Sequence, residues 1–326
     1  MQNYSIKILS CFFLISLFKC GFIENKESII DSIDLEIKIE RFDQKFYSIT
    51  KNNITNLKSI YPFLFPKKYD DDFWLKKKND TIYKLLNQAV NERFKDFDLV
   101  SNQIKNSFKR LKYEFPEITI PRIITVINNV DYQNKVILAD SLLFISIDTF
   151  LGNENELYQG IPKYIRITMD SEFIIPNIIE KFSEKLVRKP KNNNFISEMI
   201  FYGKKLYFKN VILPNYSDLL KNEYTKEQYD WVKDNESFIW RYFIDKELLY
   251  VNDEKLYDRF LLPAPFSKFY LEIDQESPPR VGQWIGLQIV KSFALNNPKM
   301  SLSQIINVSN DEIFQKSKYK PRKTWQ

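Results

Sequence analysis

From Ile33 to Ile49 apolar and charged residues alternate, with Leu35, Ile37 and Ile39 on one face and Glu36, Lys38 and Glu40 on the other. A period of two predicts a strand. From Ile54 to Phe115 the interval lengthens to three and four, as in Ile82-Leu85-Leu86-Ala89-Val90-Phe94 and Ile104-Phe108-Leu111, and predicts helices that Pro116 and Pro121 bring to an end. The β-branched run Arg122 to Asn128 predicts a strand, Asn129 to Asn134 a hairpin connection, and Val136 to Asp148 a returning strand. Beyond Gly152 the pattern is almost all helical. Pro176 stands in the first turn of a helix expected to reach Val187, and a second helix covers Phe195 to Phe208. Thr225-Lys-Glu-Gln228 has the form of a capping box and predicts one long helix to Tyr250. Ser277 is the expected N-cap of a last helix to Leu295. No repeat, low-complexity tract or long linker divides the pattern. It predicts a single α+β domain over 33–326, mostly helical, with a small β-sheet in its N-terminal half.

The chain ahead of that domain has a different character. Lys7 precedes the apolar run Ile8 to Phe18, and Lys19-Cys20 closes it. The run is about half the roughly 20 residues that span a bilayer as a helix, so it fits the core of a signal peptide. A Cys at its end followed by Gly21, with Leu17 three positions before it, resembles the lipobox of bacterial lipoproteins. That resemblance implies cleavage after residue 19, acylation of Cys20, and a polar lipidated tether over 20–32. Lys19 stands where such motifs usually carry a small residue.

Composition narrows the chemistry. There is no histidine, and the only cysteines, Cys11 and Cys20, fall within the first twenty residues. The folded part therefore has no disulfide framework, no imidazole base to activate a serine and no thiol nucleophile. Lys plus Arg is 48 against 42 Asp plus Glu, and loss of Lys7 and Lys19 with a leader would lower the net charge of +6 by two. So small an excess names no polyanionic partner. Among 42 acidic residues carboxylate pairs must occur somewhere, but no spacing marks one as a glycosidase pair.

Three segments come in a suggestive order: Ile175-Pro-Asn-Ile-Ile-Glu-Lys-Phe-Ser-Glu-Lys-Leu186, then Ser197-Glu-Met-Ile-Phe-Tyr-Gly203, then Arg280-Val-Gly-Gln-Trp-Ile-Gly-Leu-Gln-Ile-Val290. The order is remotely similar to predicted gluzincin-like zinc peptidases, which place H-E-x-x-H on one helix, a ligand Glu on the next and a G-x-x-x-G helix near the end. The runs Glu198 to Phe208, Asn235 to Arg241, Ala264 to Tyr270 and Ser317 to Lys323 more closely resemble the GldB family of gliding-motility lipoproteins of Bacteroidetes, over most of the chain beyond the tether. The first resemblance implies a gluzincin-like (zincin) scaffold with a degenerate site at Ile179, Glu180, Ser183 and Glu198. An aliphatic side chain carries no lone pair and a neutral serine hydroxyl is a poor zinc ligand, so no metal or cofactor is expected. Ile178, Phe182 and Leu186 also form a plain core stripe, with Glu180 and Glu184 directed to solvent. A decayed active-site helix and an ordinary helix both fit.

Other positions are weighed in the same way. Glu198, Tyr202 and Lys205 share a helical stripe and are expected to be solvated. Gly282 and Gly286 lie one turn apart in a helix, where each glycine costs about 1 kcal/mol relative to Ala, so close backbone packing is the favoured reason. With Trp284 they could instead form a partner groove. Glu236, Trp240 and Arg241 could build a polar pocket, a buried network or part of a partner surface. Glu272 to Glu276 lacks the glycine and ligand spacing of a calcium loop and is expected to be solvated, as is the basic tail from Lys316. In an exported protein that tail does not suggest nucleic acid, and no motif identifies a small-molecule substrate.

Together these features predict a non-catalytic pseudoenzyme of zinc-peptidase ancestry, held in the cell envelope by lipid on Cys20 and facing the periplasm. By its family resemblance it would support gliding and the associated secretion machinery through contacts with other envelope proteins. The alternative is an active hydrolase with unorthodox carboxylate ligands or a carboxylate-based mechanism. On the pseudoenzyme reading, Glu180→Gln should leave cellular function largely intact.

Overall fold

A computed structural model describes residues 26–322; Cys20, with the expected signal peptide and the start of the expected tether, lies outside them. The first described segment differs from expectation. Lys26–Ser32 forms helix α1, which buries Ile30 and lies against α6 (Asp98–Glu114), with Lys26 2.6 Å from Glu114 and Glu27 paired to Arg110. The folded body therefore begins earlier than its periodicity suggests, within the segment expected as a tether. One buried isoleucine in a seven-residue helix is too little pattern to detect in sequence.

The alternation after Ile33 yields only a three-residue strand, β1 (Ile39–Arg41), before the chain turns into α2 (Phe42–Tyr47). Phe42 and Phe46, one helical turn apart, enter the core there. Helices α3 (Ile54–Ile60), α4 (Asp71–Lys78), α5 (Thr81–Arg93) and α6 follow. Asp70 and Asp80 cap α4 and α5 by accepting backbone N–H bonds. Strand β2 (Arg122–Val126) forms as expected, but the hairpin lies elsewhere. The expected second strand is two, β3 (Val136–Ala139) and β4 (Leu142–Ser146), turning through Asp140 at φ 48°. The sheet order is β1-β2-β4-β3, with β1, β2 and β4 parallel and β3 antiparallel at the edge. The centre of β2 is buried on both faces and β4 is apolar on its half-buried face as well, so these runs give no polar alternation to read.

The C-terminal half is helical: α7 (Lys163–Arg166), α8 (Ile174–Leu186), α9 (Phe195–Ile212), α10 (Asp218–Asn222), α11 (Lys226–Asp234), α12 (Glu236–Asp245), α13 (Lys255–Phe260), α14 (Val281–Asn296), α15 (Leu302–Asn307) and α16 (Asn310–Ser317). The Thr225 capping box is present, with Thr225 Oγ1 accepting from Gln228 N and Gln228 Oε1 from Thr225 N. The long helix expected from it breaks at Asn235 into α11 and α12. Ser277 does not cap α14. Its hydroxyl instead donates to the carbonyl oxygens of Ser267 and Asp274, and Arg280 at φ 62° occupies the cap position.

Two hydrophobic cores result, one around the sheet and α5, α6 and α8, the other around α12, α13, α14 and α16. Helix α9 serves both: Phe208 and Ile212 enter the first, Phe195, Met199 and Ile200 the second. A helix covered on all sides is apolar all round, and its charged residues are then buried as well.

Candidate functional site

The positions expected as a degenerate zinc slot are part of the packing between α8 and α9. Ile179 is fully buried in the sheet core, and the Ser183 hydroxyl donates to the Glu180 carbonyl at 2.6 Å. Glu180 does not face open solvent. Its two carboxylate oxygens lie 2.6 Å from Lys205 Nζ and 2.9 Å from Lys209 Nζ, and the Lys209 side chain is only 2% exposed. Burial opposes ionisation of Glu180, but Lys209 and Lys205 outweigh it and hold the carboxyl well below the usual carboxylate range. Glu198 is separate from this pair of lysines. It is buried, pushed up by that burial, and stabilised as an anion by a hydrogen bond with Tyr257. The expected solvated stripe of Glu198, Tyr202 and Lys205 is therefore largely covered: Glu198 and Lys205 are buried and Tyr202 is half-buried. Among the described residues no group of three or more Asp, Glu, Cys or His is placed so that it could hold a metal ion.

These residues do not fit zinc. Ile179 offers methyl groups, Ser183 is committed to a backbone carbonyl, and the ammonium groups of Lys205 and Lys209 lie against both oxygens of the one central carboxylate.

The ion pairs continue beyond α9. Lys209 is also 4.0 Å from Glu223, whose other oxygen takes a 2.6 Å hydrogen bond from Arg280. Arg280 further donates to the carbonyls of Asn222 and Glu223. Glu223 and Arg280 are both in the left-handed region, at φ 55° and 62°. Two residues with a Cβ held there each carry a cost of about 1–3 kcal/mol, and their mutual bonds fix the end of α10 against the start of α14. Burial opposes the charge on Glu223, yet Arg280 and Lys209 keep its pKa near 2.

This network borders a cavity of about 500 Å³ between the two halves. Tyr132, Lys135, Tyr164 and Thr168 come from the sheet side; Glu223, Gln228, Ala264 and Arg280 come from the helical side. Lys135 Nζ donates to Thr168 Oγ1 at 2.6 Å, and burial pushes its pKa down to about 8. Lys135, Lys209 and Glu223 carry no sequence motif, and Arg280 only opens the Arg280 to Val290 segment. The signal available was indirect: Lys209 sits in an otherwise apolar stretch of α9, where a charge needs a partner.

The candidate partner surface is largely internal. A Cβ on Gly286 would fall 1.7 Å from Met199 O, and one on Gly203 would fall 2.2 Å from Gly286 C, so α9 and α14 touch backbone to backbone. Gly282 and Trp284 are buried beside that contact, the indole edge-on to Tyr229. These residues form no groove. Gly203 was the missing third member, one of only six glycines. Glu236 is buried under the chain's own C-terminal segment, accepting from Tyr319 OH at 3.0 Å and Arg322 N at 3.2 Å. Trp240 packs on Tyr319 and Phe314; Arg241 alone of this group is exposed.

No helix among the described residues is long and apolar enough to cross a membrane. No curated protein and no solved structure matches the chain. The model of one family, described as gliding motility protein GldB, matches residues 24–321. That span takes in both cores, the α9–α14 contact and the cavity between the halves, and the chain belongs to the GldB family of gliding-motility lipoproteins, with a role in gliding motility.

Proposed function

We propose that this protein is a non-catalytic, lipid-anchored component of the cell envelope that faces the periplasm and supports gliding and its associated secretion machinery through protein contacts, on a scaffold of zinc-peptidase ancestry. Helices α8, α9 and α14 supply the three segments of the peptidase resemblance in its order, and α9 packs against both others, which supports that ancestry. One observation carries the non-catalytic reading: Lys205 and Lys209 occupy both oxygens of Glu180. A carboxylate pinned between two ammonium groups and held far below neutrality is a poor base toward water.

The test is elemental analysis of purified protein together with peptide hydrolysis. The expected result is no stoichiometric zinc and no hydrolysis that chelator removes. About one tightly held zinc per chain, the content of a three-ligand catalytic site, with chelator-sensitive cleavage, would overturn the reading.

The anchor gives a separate expectation. Cys20→Ala should block incorporation of labelled fatty acid and move the protein from the membrane to the soluble fraction. Label entering the variant, or absent from the unaltered protein, would remove the lipid anchor from the account.

A further inference from the structure

The cavity between the two halves has an unbalanced wall. Lys135 makes no ion pair among the described residues; its ammonium is bonded to the Thr168 hydroxyl and, at 3.4 Å, the Thr168 carbonyl. The strongest charge influences on it are one carboxylate, Glu223, and three cations, Arg280, Lys209 and Lys181, of which Lys209 and Lys181 are already paired with Glu180 and Glu184. Glu223 is itself engaged by Arg280 and approached by Lys209. An ammonium so placed has lost much of its hydration without gaining a counter-charge of its own, an arrangement that an anion would complete. Arg280 has donors to spare. Its bonds to Glu223 and to the Asn222 and Glu223 carbonyls use three of the five N–H groups of a guanidinium, and its Nε makes no hydrogen bond among the described residues.

The rest of the wall limits what that anion can be. Ile165, Leu262, Pro263, Ala264 and Pro279 bring apolar surface to the same cavity, whose size of about 500 Å³ falls within the ordinary range for small-molecule sites. Lys135 and Arg280 set against Glu223 leave a single net positive charge on the wall. A phosphate dianion would bring a second negative charge toward Glu223, whereas a carboxylate matches the balance. We propose that this cavity binds an organic monocarboxylate with an aliphatic body, the carboxylate held by Lys135 and Arg280 and the body lying against Leu262, Pro263 and Ala264. A free aliphatic acid and the C-terminal residue of a peptide both present that chemistry. The proposal stands independently of whether the scaffold is catalytic.

Calorimetric titration of the lipidated, detergent-solubilised protein tests it. The probes are N-acetyl-leucine, a pentapeptide ending in leucine, the amide of each, and inorganic phosphate. At least one acid should bind, its amide should not, and phosphate should bind more weakly. Lys135→Met, which removes a buried charge and so should not endanger folding, should weaken the acid about tenfold or more, the scale of one lost charge-assisted hydrogen bond. Ala264→Trp, which fills the apolar side and leaves every charge in place, should weaken it as well. Tighter binding of the pentapeptide than of N-acetyl-leucine assigns the site to a chain terminus; binding of N-acetyl-leucine alone assigns it to a free acid. No binding by either acid, equal binding by acid and amide, or unchanged affinity in Lys135→Met would overturn the proposal.

Discussion

Gly286→Ala should destabilise the protein by more than about 3 kcal/mol, beyond the usual 1–3 kcal/mol for overpacking a core. The added methyl would sit 1.7 Å from the carbonyl oxygen of Met199, a backbone atom that no rotamer change can move. Helices α9 and α14 would have to separate, and α14 carries Val281, Ile285, Ile289, Val290 and Phe293 into the second core. The roughly 1 kcal/mol that alanine gains over glycine within a helix is too small to offset this. Gly203→Ala meets the same contact from the other side, 2.2 Å from Gly286 C, and should behave alike. Gly282→Ala is the internal control. Its nearest neighbours would be Leu261 Cδ2 at 2.9 Å and Phe260 O at 3.0 Å. The leucine is a flexible side chain and the backbone carbonyl at 3.0 Å needs to give by only a few tenths of an ångström, so the loss should be smaller than in the other two, about 1 kcal/mol once helix propensity is counted. Denaturant midpoints of the three variants should fall in that order. If Gly286→Ala unfolds at the same midpoint as the unaltered protein, the two backbones are not in contact.

Gly282 and Gly286 illustrate what could be read before the structure and what could not. Their spacing gave a close approach, because glycine inside a helix is costly and calls for a reason. The partner of that approach, Gly203, lies 83 residues from Gly286 in the numbering, and no local pattern links the two. The sheet was legible in the β-branched run at β2. Its topology was not, because a turn at Asp140 divides what composition presents as one strand. The charged residues of α9 were misjudged for a clear physical reason. Glu198 and Lys205 on a helical stripe are normally solvated, and only the placing of α9 between two cores, a property of the whole chain, buries them. Lys135 and Arg280, 145 positions apart, meet at the cavity through tertiary structure alone.

Glu180→Gln should cost about 3 kcal/mol at neutral pH, so that any effect on cellular function has to be separated from an effect on the fold. Breaking a buried ion pair from one side leaves an uncompensated charge and typically costs about 3–5 kcal/mol; here the loss stands between two lysines whose side chains are 9% and 2% exposed. The lower end applies because Lys205 keeps Glu184 at 3.6 Å and Lys209 keeps Glu223 at 4.0 Å. The pH dependence has a definite sign. Glu180 is depressed below its ordinary 4.5 in the folded protein, so the stability it carries is complete above that value and is lost as the pH falls beneath it. The gap between Glu180→Gln and the unaltered protein, measured by urea denaturation, should therefore be full at pH 7 and shrink steadily as the pH falls below 4.5, without closing by pH 3. Replacing Glu180 and Lys209 together by methionine removes both the carboxylate and the more buried ammonium, leaving Lys205 to Glu184, and should recover most of the stability lost in the single variant. The double variant also separates structure from chemistry. If cells carrying it glide while cells carrying Glu180→Gln do not, the carboxylate matters because it holds α8 to α9. If the stable double variant abolishes gliding, Glu180 has a task beyond that pairing, and the non-catalytic proposal loses its principal support.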